Sequence, residues 1–301
     1  MSGSSDDPRL GQLLGSALAD GRPPRAVIVG FPCDEGVRRN GGRPGAALGP
    51  GAIRQALARL TPDAAAPERF AEVVSRTRDL GDVAPTGALE ADQRALGAVL
   101  APHLTAGAFA IVLGGGHETT YGHFLAFAAL GWPVRLLNWD AHADVRELRD
   151  GMAHSGSPFR QALEHPSGLC ERYTVAGLQP HSVARAHLDY VRARGLTHFR
   201  QELGSEADVD AVHAEAQPAL VSFDLDAVDR AYAPGVSAPA MGGLPVHLWL
   251  HAAFRAGRSP GVRSADVVEL SPPHDRDGQT AALAALTVWH LLRGLAARDV
   301  S

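Results

Sequence analysis

The chain has 301 residues, 45% of them hydrophobic and 20% charged, enough to build one large α/β domain around a substantial core. Its 33 acidic and 28 basic residues leave a net charge of -5, so nothing electrostatic calls for nucleic acid or an anionic membrane surface as partner. Every basic residue is arginine, and a chain without lysine forms no Schiff base and builds no Walker-type phosphate loop.

Residues 1–24, rich in polar residues, glycine and proline, predict a flexible lead-in to a single domain over 25–301. No basic stretch followed by an apolar one opens the chain, and apolar runs such as 106–113 stay at strand length. The expectation is a cytoplasmic protein without a membrane span. Cys33 and Cys170 are too few for a disulfide framework and show no zinc-ribbon spacing. Apolar runs predict strands at 26–31, 73–80, 109–113, 134–139, 173–176, 197–199, 219–223 and 265–270. Helical patterns fall between them at 52–60, 89–104, 122–130, 182–194, 246–256 and 279–296. Continuous apolar strands alternating with helices point to a parallel sheet covered on both faces, as a three-layer sandwich or a barrel. Either architecture gathers function at the C-terminal strand ends.

Three segments meet that demand: Gly114-Gly-Gly-His117-Glu118, Asp140-Ala-His142-Ala-Asp144 and Ser222-Phe-Asp224-Leu-Asp226. In extended chain, residues i and i+2 point to the same side, so Asp140, His142 and Asp144 can converge, and so can Asp224 and Asp226. Four carboxylates at close quarters repel unless cations neutralise them, and two divalent ions balance four negative charges. Imidazole and carboxylate donors without thiolate suit manganese, iron or zinc, and the excess of aspartate tilts the choice to manganese. Such a centre implies metal-assisted hydrolysis, with phosphoester, amide and amidine substrates all open. The glycines before His117 lack the lysine of a phosphate loop and are read as letting the backbone approach the metals. His247 and His251 at i, i+4 are read as packing or surface residues; His123 after the metal loop either orients the site from behind or packs, with packing preferred; and Cys33 is read as a small buried side chain.

In order and spacing, the three segments resemble the signature of the ureohydrolases, the arginase and agmatinase superfamily. The resemblance implies a three-layer α/β/α sandwich with a mostly parallel eight-stranded sheet and two Mn2+ ions per subunit. One ion would be held by His117, Asp140, Asp144 and Asp224, the other by Asp140, His142, Asp224 and Asp226. Asp266-Val-Val-Glu269 resembles the strand-end segment whose glutamate faces the cationic nitrogen of the substrate, a role that falls to Glu269. Within the superfamily, residues 30–43, 116–123, 155–159 and 233–239 resemble the branch that converts N-formimidoyl-L-glutamate and water to L-glutamate and formamide. The alternative is a guanidino-substrate enzyme releasing urea. Members of that second kind carry a histidine directly before the glycine of the third segment; here Ser155 stands there and His154 one place earlier, a candidate proton shuttle. Asp144 would orient the attacking oxygen and carry its proton. An amidine dicarboxylate needs cations at its carboxylates, which makes Arg38, Arg39, Arg43 and Arg146, with Asn40, the candidate substrate-binding residues. The resemblance also implies a homo-oligomer, a trimer or hexamer.

Overall fold

The computed structural model describes residues 7–298. Its strands are β1 (Ala26–Phe31), β2 (Thr77–Asp82), β3 (Phe109–Gly114), β4 (Val134–Trp139), β5 (Cys170–Leu178), β6 (Gly195–Phe199), β7 (Leu220–Asp224) and β8 (Ser264–Val268). Its α-helices are α1 (Leu10–Leu13), α2 (Glu35–Asn40), α3 (Gly49–Leu57), α4 (Pro67–Ser75), α5 (Leu89–Thr105), α6 (Thr119–Leu130), α7 (Pro158–Leu163), α8 (Arg185–Arg192), α9 (Glu206–Ala216), α10 (Val246–Arg258) and α11 (Gln279–Ala296). All eight strands join one sheet in the order β2-β1-β3-β8-β7-β4-β5-β6, and every ladder is parallel.

The strands read as apolar runs because both of their faces are covered. Along β1, Ala26 and Ile28 point into a core shared with Ile53 of α3, Phe70 of α4 and the apolar faces of α9, α10 and α11. Val27, Val29 and Phe31 point the other way, into a second core with Leu89, Leu96, Leu100 and Leu104 of α5, Phe124 of α6 and Phe159 of α7. Two cores on opposite faces of one sheet make the three-layer sandwich and exclude the barrel.

The segment 73–80 differs from its sequence reading. Val73 and Val74 belong to α4, where they join Phe70 on one buried helical face, and the strand starts only at Thr77. Pro67 in the first turn of that helix is the signal that periodicity over 73–80 alone overlooks. The lead-in differs too. Leu10 is fully buried, and its N–H donates to the Leu60 carbonyl (2.9 Å), so the described part of 1–24 packs on α3 and α4; residues 1–6 lie outside the described residues.

Chain order and sheet order diverge where the chemistry sits. The chain builds β3, crosses to the β4-β5-β6 half, then returns with β7 and β8 to fill the gap between β3 and β4. The ends of β3, β8, β7 and β4 therefore lie side by side. In register, Asn138, Ser222 and Asp266 form one row across β4, β7 and β8, two residues before Asp140, Asp224 and Val268.

Candidate metal centre

The loop after β3 turns at Gly115, where a Cβ would lie 1.8 Å from the Cys33 carbonyl oxygen. The glycine is needed for the passage of this loop against the β1 end, where the Gly116 N–H donates to that same carbonyl (2.9 Å). At Gly115 the close approach is thus to the loop after β1, where the sequence reading had the backbone approaching metals.

Beyond Gly116 the ring of His117 turns inward, essentially unexposed. Its Nδ1 lies 2.8 Å from Asp224 Oδ2, 3.0 Å from Asp144 Oδ2 and 3.4 Å from Asp140 Oδ2. His142 Nδ1 lies 3.1 Å from Asp226 Oδ2 and 3.3 Å from Asp140 Oδ1. Donor atoms of His117, Asp140, Asp144 and Asp224 fall within 4.8 Å of one another, as do those of Asp140, His142 and Asp226. Asp140 is common to both groups. Asp224 falls in the first group only, and its Oδ1 accepts the Asp226 N–H at 2.8 Å.

The donor set fits cations. One ring nitrogen carries at most one hydrogen, yet three carboxylate oxygens crowd His117 Nδ1, and that atom makes no properly directed hydrogen bond. Asp226 Oδ1 is likewise buried without a partner. Burial, together with the Asp226 and Asp140 charges, holds the Asp224 carboxyl well above the usual range, and burial pushes Asp226 up to about 6 against the pull of His142. Burial disfavours a charged His117, but the Asp224 charge and the Asp140 and Asp144 carboxylates crowding Nδ1 outweigh it and raise its pKa. Without cations the cluster must borrow protons to coexist. Carboxylate and imidazole donors without a thiolate match manganese.

The surrounding shell fixes these donors. Asn138 donates from Nδ2 to Asp140 Oδ2 (2.9 Å) and to the Tyr173 hydroxyl (3.1 Å), which itself donates to the Ala143 carbonyl (2.8 Å). Asp144 and Glu269 both sit at positive φ, 44° and 68°, a strained conformation for side-chain-bearing residues that the packing around them must hold. Glu269 accepts the His117 N–H at 2.8 Å, and burial, the Glu118 charge and Asp226 raise its pKa to about 8. Glu118 accepts the Gly36 N–H (2.8 Å), tying α2 to the metal loop.

A cleft of about 180 Å3 opens over the cluster and is lined by His142, Asp144, Asp224, Asp226 and Glu269 on its floor and by Asn40, Arg146, Ser155 and Ser237 on its walls. The sequence-derived arginines part company here. Arg38 is ion-paired with Asp34, Arg39 bonds Glu35 (3.1 Å) and Glu90 (2.6 Å), and Arg43 bonds the carbonyls of Ser237 (2.9 Å) and Val236 (2.5 Å). These three hold the first loop in place and do not line the cleft. Arg146 does line it, meets no carboxylate among the described residues, and contacts Asn40 Oδ1 at 3.4 Å. Asn40 in turn donates to Ser155 Oγ (3.1 Å).

His154 is removed from the proton-shuttle role. Its ring is buried outside the cleft lining, Nε2 donates to the Glu147 carbonyl (2.9 Å), and Nδ1 accepts the Gly156 N–H (3.1 Å). Both nitrogens are occupied by backbone, and burial lowers the pKa of the ring further. His251 pairs with Asp210 (2.9 Å), away from the centre, and Cys33 is buried, both as read. Ser222 and Asp266 carried no role of their own in the sequence reading, although the alternation of β7 and β8 places them beneath the ligands.

A family model described as the arginase family matches residues 24–293. The chain belongs to the arginase family. Formimidoylglutamase of Rhodococcus jostii (strain RHA1) is 40% identical over 291 residues, covering 91% of this chain and 88% of the relative. That of Nocardia farcinica (strain IFM 10152) is 39% identical over 291 residues, covering 93% and 90%. A crystal structure of Trypanosoma cruzi formiminoglutamase with Mn2+2 superposes with a TM-score of 0.89 at 32% identity, covering 98% of this chain and all of that one. A hypothetical agmatinase from Burkholderia thailandensis superposes less closely, with a TM-score of 0.75 at 27% identity over 91% of this chain and 86% of that one.

Proposed function

We propose that this chain hydrolyses N-formimidoyl-L-glutamate to L-glutamate and formamide, the step of histidine degradation that the family resemblance implies. The observation that carries it is Arg146, an arginine without an acid partner among the described residues, standing with Asn40 over a cluster of aspartates and histidines. A substrate with free carboxylates supplies the missing anion, and relatives that cover nearly all of the chain are formimidoylglutamases.

His117, Asp140, Asp144 and Asp224 would hold one manganese ion, and Asp140, His142 and Asp226 the other, with Asp224 the further shared ligand that the family resemblance implies. Bound there, the ions supply Lewis acidity and cancel the negative charge of the cluster. The chain's residues do the rest. Arg146 and Asn40 bind the glutamate end and set the amidine carbon over the floor of the cleft. Glu269, fixed through its bond from the His117 N–H, faces the amidinium and in its ionised form, which cations at the cluster would favour, stabilises that positive charge. Asp144 accepts a proton from water as the oxygen bonds the amidine carbon, and returns it to the glutamate nitrogen as the carbon–nitrogen bond breaks. This route needs no histidine in the loop of Ser155.

The decisive assay incubates manganese-loaded protein with N-formimidoyl-L-glutamate, arginine, agmatine and guanidinobutyrate and measures formamide and urea. Formamide from the first is expected; urea from a guanidino compound alone overturns the reading. The same reading extends to one domain over 25–301, a cytoplasmic location and a trimer or hexamer, and light scattering of the eluted protein checks the last. No helix among the described residues is long and apolar enough to cross a membrane.

A further inference from the structure

Beneath His117 the hydrogen bonds form a chain that, with Asp266 as a carboxylate, has one consistent proton assignment. Asp266 accepts from Ser222 Oγ at Oδ1 (2.5 Å) and meets His123 Nδ1 at Oδ2 (2.8 Å). A carboxylate donates nothing, so the Ser222 proton points to Asp266 and His123 carries its proton on Nδ1. Ser222 Oγ is then left with two lone pairs. Thr120 Oγ1 at 3.1 Å and His117 Nε2 at 3.0 Å must both donate to them. His117 therefore keeps a proton on Nε2, and Nδ1 is the ring nitrogen that faces the carboxylates, free to offer its lone pair to a cation among them. All five side chains are at most 1% exposed, so water does not offer an alternative partner at the surface. His123 Nε2 is buried without a partner, which leaves the Asp266 contact as the polar contact of that ring.

We propose that His123 is a positioning residue of the metal centre: through Asp266 and Ser222 it holds His117 in the orientation and tautomer that offer Nδ1 to a cation. The proposal rests on the reading of His117 as a metal donor. It also decides against packing, the preferred sequence reading of His123, in favour of the orienting role weighed beside it. The row Asn138–Ser222–Asp266 acts as a template under both ion groups, with Asn138 serving Asp140 and the Ser222–Asp266 pair serving His117.

The test titrates metal-free protein with Mn2+ and follows the free ion by its paramagnetic resonance signal, in wild type, His123→Leu, His123→Asn and Asp266→Asn. Wild type is expected to take up two ions. His123→Leu and Asp266→Asn are expected to weaken one of the two binding steps by about 10- to 100-fold and leave the other unchanged. His123→Asn, whose amide N–H can replace the lost donor, is expected to recover most of that loss. At saturating Mn2+, KM should stay at the wild-type value, because the chain does not touch the substrate walls. Two wild-type binding steps in Asp266→Asn, or an equal loss in His123→Leu and His123→Asn, overturn the proposal. So does equal weakening of both steps. Should His123→Leu fail to fold, Asp266→Asn against His123→Asn decides alone. A wild type that binds no Mn2+ overturns the metal reading itself, a result distinct from any difference among variants.

Discussion

Arg146 and its three neighbours show how partners, not residue type, sort function. Arg38, Arg39 and Arg43 are spent on Asp34, on Glu35 and Glu90, and on two carbonyls, while Arg146 faces the cleft. Arg146→Ala is expected to raise KM for the dicarboxylate substrate by about 10- to 100-fold with little change in kcat, the effect of removing a charge-assisted hydrogen bond worth about 1.5–3 kcal/mol. Arg38→Ala should leave KM unchanged; steady-state kinetics of the pair checks both, and an equal rise in KM would place recognition elsewhere. Glu269 is the converse case, a carboxyl whose place is held by one bond from the His117 N–H. Glu269→Gln keeps that acceptor but loses the charge, so kcat should fall by about 10²- to 10³-fold. Manganese uptake should persist, as titration of the variant would record.

The elements that carry these residues are locked by close contacts far from the chemistry. Helices α10 and α11 cross so tightly that a Cβ on Gly257 would lie 2.1 Å from the Leu291 carbonyl oxygen. Gly257→Ala is expected to destabilise the fold by about 1–3 kcal/mol, the range for overpacking. Gly261→Ala, with its nearest neighbour at 3.9 Å, should be close to neutral; urea midpoints compare them. In α9, His213 is buried beside Trp139 with neither ring nitrogen hydrogen-bonded. Burial, reinforced by the Arg255 charge, lowers its pKa from 6.5 to about 3. The neutral ring is the folded form, so below pH 6.5 the unfolded chain takes up a proton that the folded one refuses. Stability is lost progressively as pH falls from 6.5 toward 3, at up to about 1.4 kcal/mol per pH unit from this group. Metal-free His213→Leu should lose less stability than metal-free wild type between pH 7 and pH 4, and parallel losses would dismiss the effect.

The whole molecule concentrates unlike demands at the C-terminal ends of the central strands. Four aspartates, Glu118 and Glu269 gather there behind two histidines, and burial and mutual repulsion raise the pKa of several of them. Such a cluster costs stability until cations fill it. Chelation should therefore lower the thermal midpoint by several degrees, and Mn2+ should restore it in proportion to ln(1+[Mn2+]/Kd), about 2.7 kcal/mol per ion at 100 times Kd. A midpoint indifferent to chelator would show that the cluster is stable as folded. Elsewhere Arg54 of α3 pins the β2 edge through Asp79 (2.8 Å) and Asp82 (2.5 Å), so the sheet is held at its margin by charge and in its middle by apolar packing.

Strand ends and the donor side chains that cluster there were readable from the chain because both follow local rules: an apolar run long enough for a strand, then side chains at i and i+2 on one side. Asp140, His142, Asp144, Asp224 and Asp226 obey that pattern, and five of the six longer helices foreseen overlap observed ones only in part at their ends, with 279–296 matching α11. The short helices α2 and α7 and the α4 helix mistaken for strand escaped, since each is too brief or too mixed for periodicity to separate from its surroundings. The partners of Arg38, Arg39, Arg43, His154 and His123 escaped for another reason. Whether a guanidinium or an imidazole is free depends on which distant carboxylate or carbonyl reaches it: Glu90 for Arg39, Glu147 for His154, Asp266 for His123. Local pattern sets which side of a strand a residue takes; only the packing of β8 and β7 between β3 and β4 sets what it meets there.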